Sequence, residues 1–233
     1  MDWNALIDTD KQLLLTLNGS DSLFLDGLAT TLTYAPTWIP LYIALLFLVV
    51  KNNDSWQKVF LIVCCALLCV FFAGSLNDML VKPSVARWRP TRDDEIGALV
   101  DVVNGYRGGR FGFFSSHASN TFSLAIFFTL LIRSRLLSVS LVLWSLLNCW
   151  TRLYLGVHYP GDILCGLLWG AVMGTLMWFV HQQISRLIAT TGSYISSQYT
   201  KTGYQLADVD VVVCVLLFTL VYGILRACCF LYV

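Results

Sequence analysis

Charge is what this chain has least of. Lys, Arg, Asp and Glu make up 12% of its 233 residues, about half the roughly 25% usual in a soluble domain. With 57% hydrophobic residues, the shortage points to a multi-pass membrane protein. No run of Lys and Arg suggests a nucleic-acid partner. The 15 basic and 14 acidic side chains nearly cancel, so net charge says nothing about partners. The N-terminus lacks a basic stretch followed by a short apolar core, so no cleavable signal peptide is expected. The eight cysteines (Cys64, Cys65, Cys69, Cys149, Cys165, Cys214, Cys228 and Cys229) all lie in apolar segments, and none has zinc-ligand spacing with histidine. They are expected to be buried thiols acting as small apolar residues, with no disulfide framework. There is no internal repeat and no low-complexity tract, and a single domain over residues 1–233 is expected.

What is present is a succession of apolar segments. Residues Trp3–Leu17 are amphipathic: Leu6, Leu13, Leu14 and Leu17 can share one face, while Asp2, Asp8, Asp10 and Lys11 prefer water. This is the pattern of an interfacial helix lying on the bilayer. After a break at Asn18–Asp21, Ser22–Tyr34 predicts a second short helix and Thr37–Val50 a first span; alternatively, Ser22–Val50 is one helix kinked at Pro36. A polar connection, Lys51–Lys58, leads to a span over Val59–Leu80. Lys82–His117 is the longest polar excursion, with Gly105, Gly108, Gly109 and Gly112 near its end. Further spans are predicted at Ala118–Ile132, Leu136–Leu155, Gly161–Val180 and Val209–Cys229, with a Ser/Thr/Tyr/Gln-rich loop over Ile184–Asp208. Several of these cores are shorter than the roughly 20 residues a perpendicular helix needs. The expected fold is all-α: a multi-pass membrane helical bundle of about six transmembrane helices plus an N-terminal interfacial helix.

Three clusters of ionisable and hydroxyl groups interrupt the apolar pattern, and such groups near hydrocarbon are costly and usually functional. One runs from Arg152 through His158 to Asp162, between two apolar segments. Pro160 suits the first turn of a helix, and Asp162 then falls in that turn, where the helix dipole favours a carboxylate. His158 sits just before it, within reach of Asp162 if the turn is tight, and Arg152 offers a guanidinium to an anion. A second cluster spans Lys82–Pro90. Lys82 and Arg89 are seven residues apart, nearly two helical turns, which predicts one face of a short helix that Pro83 starts and Pro90 ends. Two cations on one face suit a phosphate. The third is Phe114-Ser115-Ser116-His117, where a serine can cap the next helix and leave its first amides free for an anion. Each cluster alone also fits a plainer reading: a capping Asp with a snorkelling Arg, a basic interfacial helix on anionic headgroups, or a Ser cap with an interfacial His. An even number of crossings separates each pair, so all three share one membrane face. His181, about 35 Å along a helix from His158, is expected at the surface of the opposite face. Asp93, Asp94 and Glu95 are adjacent and would splay, so they read as a solvated loop rather than a metal site.

Lys82-x6-Arg89-Pro90, Ser115-x-His117 and Arg152-x5-His158-x3-Asp162, in that order, resemble the three-part signature of the type 2 phosphatidic acid phosphatase family. That family also includes vanadium haloperoxidases and some soluble acid phosphatases. The resemblance covers Lys82–Asp162 and the span layout around it. Two departures are visible: Phe114 and Ser116 stand where the family usually has Pro and Gly, and Thr151 where its third motif usually opens with Ser. The resemblance implies metal-independent hydrolysis of a membrane lipid phosphate, with no cofactor. It implies His158 as nucleophile through a phosphohistidine, Asp162 as the carboxylate that orients it, and His117 as general acid and base. Lys82, Arg89, Ser115, Ser116 and Arg152 would hold the phosphate. The implied partners are the lipid phosphate and the bilayer, with no nucleic acid; no motif speaks to oligomeric state. Candidate substrates are undecaprenyl diphosphate, the phosphates of lipid A and phosphatidylglycerophosphate, and the Phe-Ser-Ser-His form leans toward a lipid A-type phosphatase. Two alternatives are a vanadate-dependent haloperoxidase-like enzyme, which the apolar composition disfavours, and a non-catalytic lipid-phosphate-binding protein, which would be expected to lose His158 or His117.

The charge pattern also suggests sidedness. The connections on the face opposite the clusters carry Lys51, Lys58, Arg133, Arg135, Arg186 and Lys201 against Asp54, Asp208 and Asp210. The other short segments on the cluster face are acidic, with Asp2, Asp8, Asp10, Asp21 and Asp26. By the positive-inside rule, the clusters and both termini face outward across a bacterial-type inner membrane.

Overall fold

The computed structural model describes residues 3–188 and 197–229; Asp2, counted among the outward acidic residues, and residues 189–196 of the expected Ile184–Asp208 loop lie outside them. That loop begins later than expected because residues 184–188 are helical. The elements are α1 (Trp3–Leu17), α2 (Leu23–Thr33), α3 (Ile39–Lys51), α4 (Trp56–Val70), α5 (Lys82–Val85), α6 (Ser116–Ile132), α7 (Arg135–Tyr154), α8 (Pro160–Ile188) and α9 (Leu206–Cys229). No strand forms among the described residues. The architecture is all-α, as expected, with fewer candidate spans among the described residues than the six expected. Four helical stretches are long and apolar enough to cross a membrane, and the bent pair α2–α3 would make a fifth. α6, at 17 residues, is shorter than a perpendicular span. It can be short because it is buried by other helices along most of its length.

The chain bends by 71° between α2 and the segment Ala35–Lys51, the kinked-helix alternative. Proline removes a donor and frees carbonyls, and within a bilayer those must find partners. Thr37 Oγ1 donates to the Thr31 carbonyl at 2.7 Å and Trp38 Nε1 to that of Leu32 at 2.9 Å. The next crossing is one continuous helical stretch, Trp56–Val85, longer than expected because two π turns, Phe71–Ser75 and Asn77–Val81, join α4 to α5. Carbonyls at the first π turn are taken by neighbouring helices: Ser119 Oγ donates to Ala73 and Trp169 Nε1 to Phe72.

α6 and α8 form the centre of the bundle, and their sequences explain the contact. Gly166, Gly170 and Gly174 line one face of α8. A Cβ at these positions would lie 2.7, 2.6 and 2.4 Å from the carbonyl oxygens of Ser115, Ser119 and Ser123 on α6. Small residues at this period let two backbones meet where water gives no hydrophobic drive. Apolar side chains such as Phe60, Leu67, Leu143, Leu168 and Phe218 are exposed, as befits surfaces that face lipid. The exposed Cys214 and Cys229 correct the expectation that all the cysteines are buried. His181 is a second correction: it is buried, edge-on to Phe127 at 6.4 Å, rather than at a surface. α8 runs on to Ile188, past the span end expected at Val180, so His181 packs against α6 instead of leaving the bundle.

α1 also differs from expectation in how its polar face is used. Trp3, Leu6, Ile7, Leu13 and Leu17 are exposed while Leu14 is buried with Ile96, Val100 and Tyr159. Asp10 and Lys11 turn toward protein rather than water, and Lys11 Nζ lies 2.6 Å from Glu95 and 3.6 Å from Asp93. The acidic loop is therefore tied to α1 instead of being freely solvated.

Gly170→Leu should cost about 1–3 kcal/mol through overpacking and lower the melting midpoint in detergent. Val172→Leu, on an exposed position of the same helix, should leave it unchanged. Thermal unfolding followed by size-exclusion fluorescence distinguishes the two.

Candidate active site

Asp162 enters the first turn of α8 behind Pro160 and is fully buried. Its Oδ1 accepts from Arg87 Nη1 at 2.8 Å and its Oδ2 from the Tyr159 amide at 3.1 Å. The same Oδ2 faces His158 Nδ1 at 3.5 Å, longer than a formed hydrogen bond. Such contacts often tighten when substrate binds. The tight turn expected from the sequence is present, but the strong partner of Asp162 is Arg87.

Arg87 is the residue the sequence reading passed over. Its Nη2 donates to Asp10 Oδ2 at 2.7 Å, and its guanidinium lies 4.0 Å over the Tyr159 ring. Asp10 in turn accepts from the Gly161 amide at 2.7 Å, and Tyr159 Oη donates to Asp93 at 2.8 Å. Arg87 could have been suspected, as the third cation of its cluster. Asp10 carried no signal, because its partners lie far along the chain.

The other face of His158 meets the cations. Arg89 Nη1 donates to the Val157 carbonyl at 3.1 Å and lies 3.2 Å from His158 Nε2. A guanidinium has only donors, so Nε2 is the acceptor and the ring proton belongs on Nδ1, facing Asp162. Burial first, then Arg89, Arg152 and Lys82, hold His158 well below the usual imidazole range. It is a neutral base with its lone pair toward positive charge. Burial, with repulsion from Arg152, lowers Arg89 to about 10, which leaves it protonated at neutral pH. Gly108, at φ +64, passes over this side chain where a Cβ would sit 2.9 Å from Arg89 Nη1.

The shared helical face predicted for Lys82 and Arg89 does not form. The helix stops at Val85, Ala86 is left-handed at φ 52, and Arg89 is extended. The two cations still converge, because the loop Ala86–Pro90 folds back toward α8. Lys82 Nζ lies 2.6 Å from Asp78 Oδ1. Arg152 is buried between Thr33 Oγ1 and Tyr106 Oη. His117 is in the first turn of α6, within electrostatic reach of Arg152, His158, Lys82 and Arg89.

The hydroxyls are distributed differently from expectation. Ser115 Oγ is the N-cap of α6, accepting from the Ala118 amide at 3.4 Å. Ser116 Oγ donates to Asp78 at 2.7 Å and accepts from Asn77 Nδ2 at 3.0 Å. Thr151 Oγ1 is spent on the Asn148 carbonyl of its own helix at 2.7 Å. The structure thus brings together the buried neutral imidazole of His158, a second histidine in His117, the cations Lys82, Arg89 and Arg152, and the Asp162 carboxylate held by Arg87 at one end of the bundle. That set can bind an oxyanion and offer it a nitrogen nucleophile.

Comparison with known proteins fits this chemistry. The family model of the PAP2 superfamily matches residues 34–186. A lipid A 4'-phosphatase of Bacteroides thetaiotaomicron is 42% identical over 188 residues, covering 80% of this chain and 83% of that protein. A lipid A 4'-phosphatase of Porphyromonas gingivalis is 33% identical over 178 residues, covering 76% and 74%. No solved structure gives a significant match.

Because His158 is depressed by burial and by the cations, it should stay neutral as pH falls through about 6.5, where a free imidazole gains its proton. Arg89→Gln removes the nearest positive charge, so the His158 titration should move upward. Histidine-selective 15N spectra of wild type and variant across pH 5–8 read both shifts; an unmoved titration would mean that Arg89 does not bear on His158.

Proposed function

The chain belongs to the PAP2 superfamily, and from that premise we propose that it removes a phosphate from a lipid A-type glycolipid by way of a phosphohistidine. Its class is that of a phosphoric ester hydrolase acting on a lipid phosphate in the bilayer. The finer reading takes its substrate from the two named relatives and its mechanism from one observation: His158 Nε2 lies 3.2 Å from Arg89 Nη1, a donor-only group that leaves it the acceptor.

In this reading Lys82, Arg89 and Arg152 take the phosphoryl oxygens, with the Ser116 backbone amide beside them. Ser115 contributes by capping α6 and fixing where its N-terminus points. Phosphoryl transfer needs chiefly positioning and charge stabilisation, and three cations supply both. His158 Nε2 attacks phosphorus in line, the N–P bond forms, and the bond to the lipid oxygen breaks. His117 gives that oxygen a proton. Positive charge growing on the imidazole is met by Asp162, as in a triad. His117 then takes a proton from water, which attacks phosphorus, releases phosphate and restores His158. Arg87, held by Asp10, keeps Asp162 in place through both steps.

We read the single domain, with its site around residues 82–162, as facing outward across a bacterial inner membrane. The basic residues at the opposite end of the bundle support that orientation, and Lys51 there pairs with Asp208 at 2.6 Å. A lipid could then enter sideways while its phosphate reaches His158 at headgroup depth.

Purified protein incubated separately with bisphosphorylated lipid A, undecaprenyl diphosphate and phosphatidylglycerophosphate should release one phosphate from lipid A most rapidly, read by mass spectrometry. His158→Ala should abolish turnover, and vanadate, which imitates the transition state, should inhibit; EDTA should not. Turnover by His158→Ala would sink the nucleophile assignment.

For orientation, a single cysteine in the Arg92–Arg107 loop, introduced into a cysteine-free background, should react with an impermeant thiol reagent in cells with a permeabilised outer membrane. One at Asn53 should not. The reverse pattern would place the site inside.

A further inference from the structure

The proposed phosphate cradle already holds a carboxylate. Asp78 Oδ1 lies 2.6 Å from Lys82 Nζ and accepts from Ser116 Oγ at 2.7 Å. An anionic oxygen between an ammonium and a hydroxyl is the short, charge-assisted arrangement a phosphoryl oxygen would adopt there. The neighbouring Asn77 is buried and rigidly placed: its Nδ2 donates to Ser116 Oγ at 3.0 Å and to the Phe114 carbonyl at 2.7 Å. Asn77 thereby uses one lone pair of the Ser116 hydroxyl and turns its proton toward Asp78. Asp78 itself is half exposed, its side chain 54% accessible. No third group among the described residues holds it by a hydrogen bond or ion pair, so it can swing into headgroup water. Both residues lie in the π turn Asn77–Val81.

We propose that Asp78 is a positioning residue that occupies the phosphoryl place on Lys82 and Ser116 before substrate binds, yields it to the lipid phosphate, and returns as inorganic phosphate leaves. The inference rests on the phosphate-cradle reading given above. It also accounts for Ser116, which stands where a glycine is usual in the resembled motif: glycine would offer Asp78 no hydroxyl. The carboxylate keeps Lys82 paired and correctly placed while no phosphate is bound. Once phosphate takes Lys82, Asp78 faces a second anion nearby. Repulsion at that range, only partly screened at the membrane surface, lowers affinity for the product and favours its release.

The test is binding of inorganic phosphate to the purified protein in neutral detergent, by isothermal titration and by the phosphate dependence of the melting midpoint. Asp78→Asn should bind phosphate about tenfold more tightly than wild type, and phosphate should inhibit its turnover more strongly by the same factor. Asp78→Glu, which keeps the charge, should return affinity to the wild-type value. Asp78→Ser is the second neutral variant should Asn fail to fold. Equal or weaker phosphate binding by the folded neutral variant, alongside clear binding by wild type, overturns the inference alone, since Asp78 would then only orient Lys82. Failure of wild type to bind phosphate at all would overturn the cradle reading and the inference together.

Discussion

A buried carboxylate is expensive, and the active end of this bundle is arranged around one. Asp162 is fully buried, and a charge so placed is tolerated only with close partners and hydrogen bonds. Arg87, the Tyr159 amide and the nearby His158 ring supply them. Satisfying Asp162 fixes much else. Arg87 must come back from the end of the Trp56–Val85 stretch, so that stretch has to stop at Ala86 and the chain has to reverse. Arg87 needs its own second anion, and Asp10 draws α1 into the site. Helix α1 is thus part of the site's electrostatics.

The spans hold this arrangement in place through close backbone contact. The glycines of α8 let Ser115, Ser119 and Ser123 of α6 approach within Cβ distance. Because Ser115 caps α6 and its amide donates to the Asp162 carbonyl at 3.1 Å, the two helix N-termini are locked to one another. His117, in the first turn of α6, and Asp162, in the first turn of α8, inherit their relative placement from that lock. The π turns serve a similar end: they carry Asn77 and Asp78 to Ser116, and Ser119 and Trp169 take the carbonyls at the neighbouring turn.

The sequence reading reached Lys82, Arg89, His117, Arg152, His158 and Asp162 because ionisable residues are rare in this chain and stand out against apolar neighbours. It misplaced Lys82 and Arg89 on one helical face because nothing in Val85-Ala86-Arg87 announces a left-handed alanine. It left Arg87 unassigned because spacing cannot tell a phosphate ligand from a carboxylate partner. It put His181 at a surface because hydropathy measures where a span ends against lipid, not where the bundle ends against itself.

Some properties are set by local chemistry and were therefore fixed by the sequence alone. Apolar length and scarce charge dictate a membrane bundle, Pro160 and Ser115 favour the helix starts they occupy, and the order of the three motifs carries the family. Other properties depend on which distant groups meet. That Asp162 pairs with Arg87, which Asp10 also holds, that His158 turns Nε2 to Arg89, and that Asp78 rests on Lys82 and Ser116 were decided only by the tertiary structure. The physical reason is that a buried charge is partnered by whatever lies within about 4 Å of it in space, and separation along the chain says nothing about that.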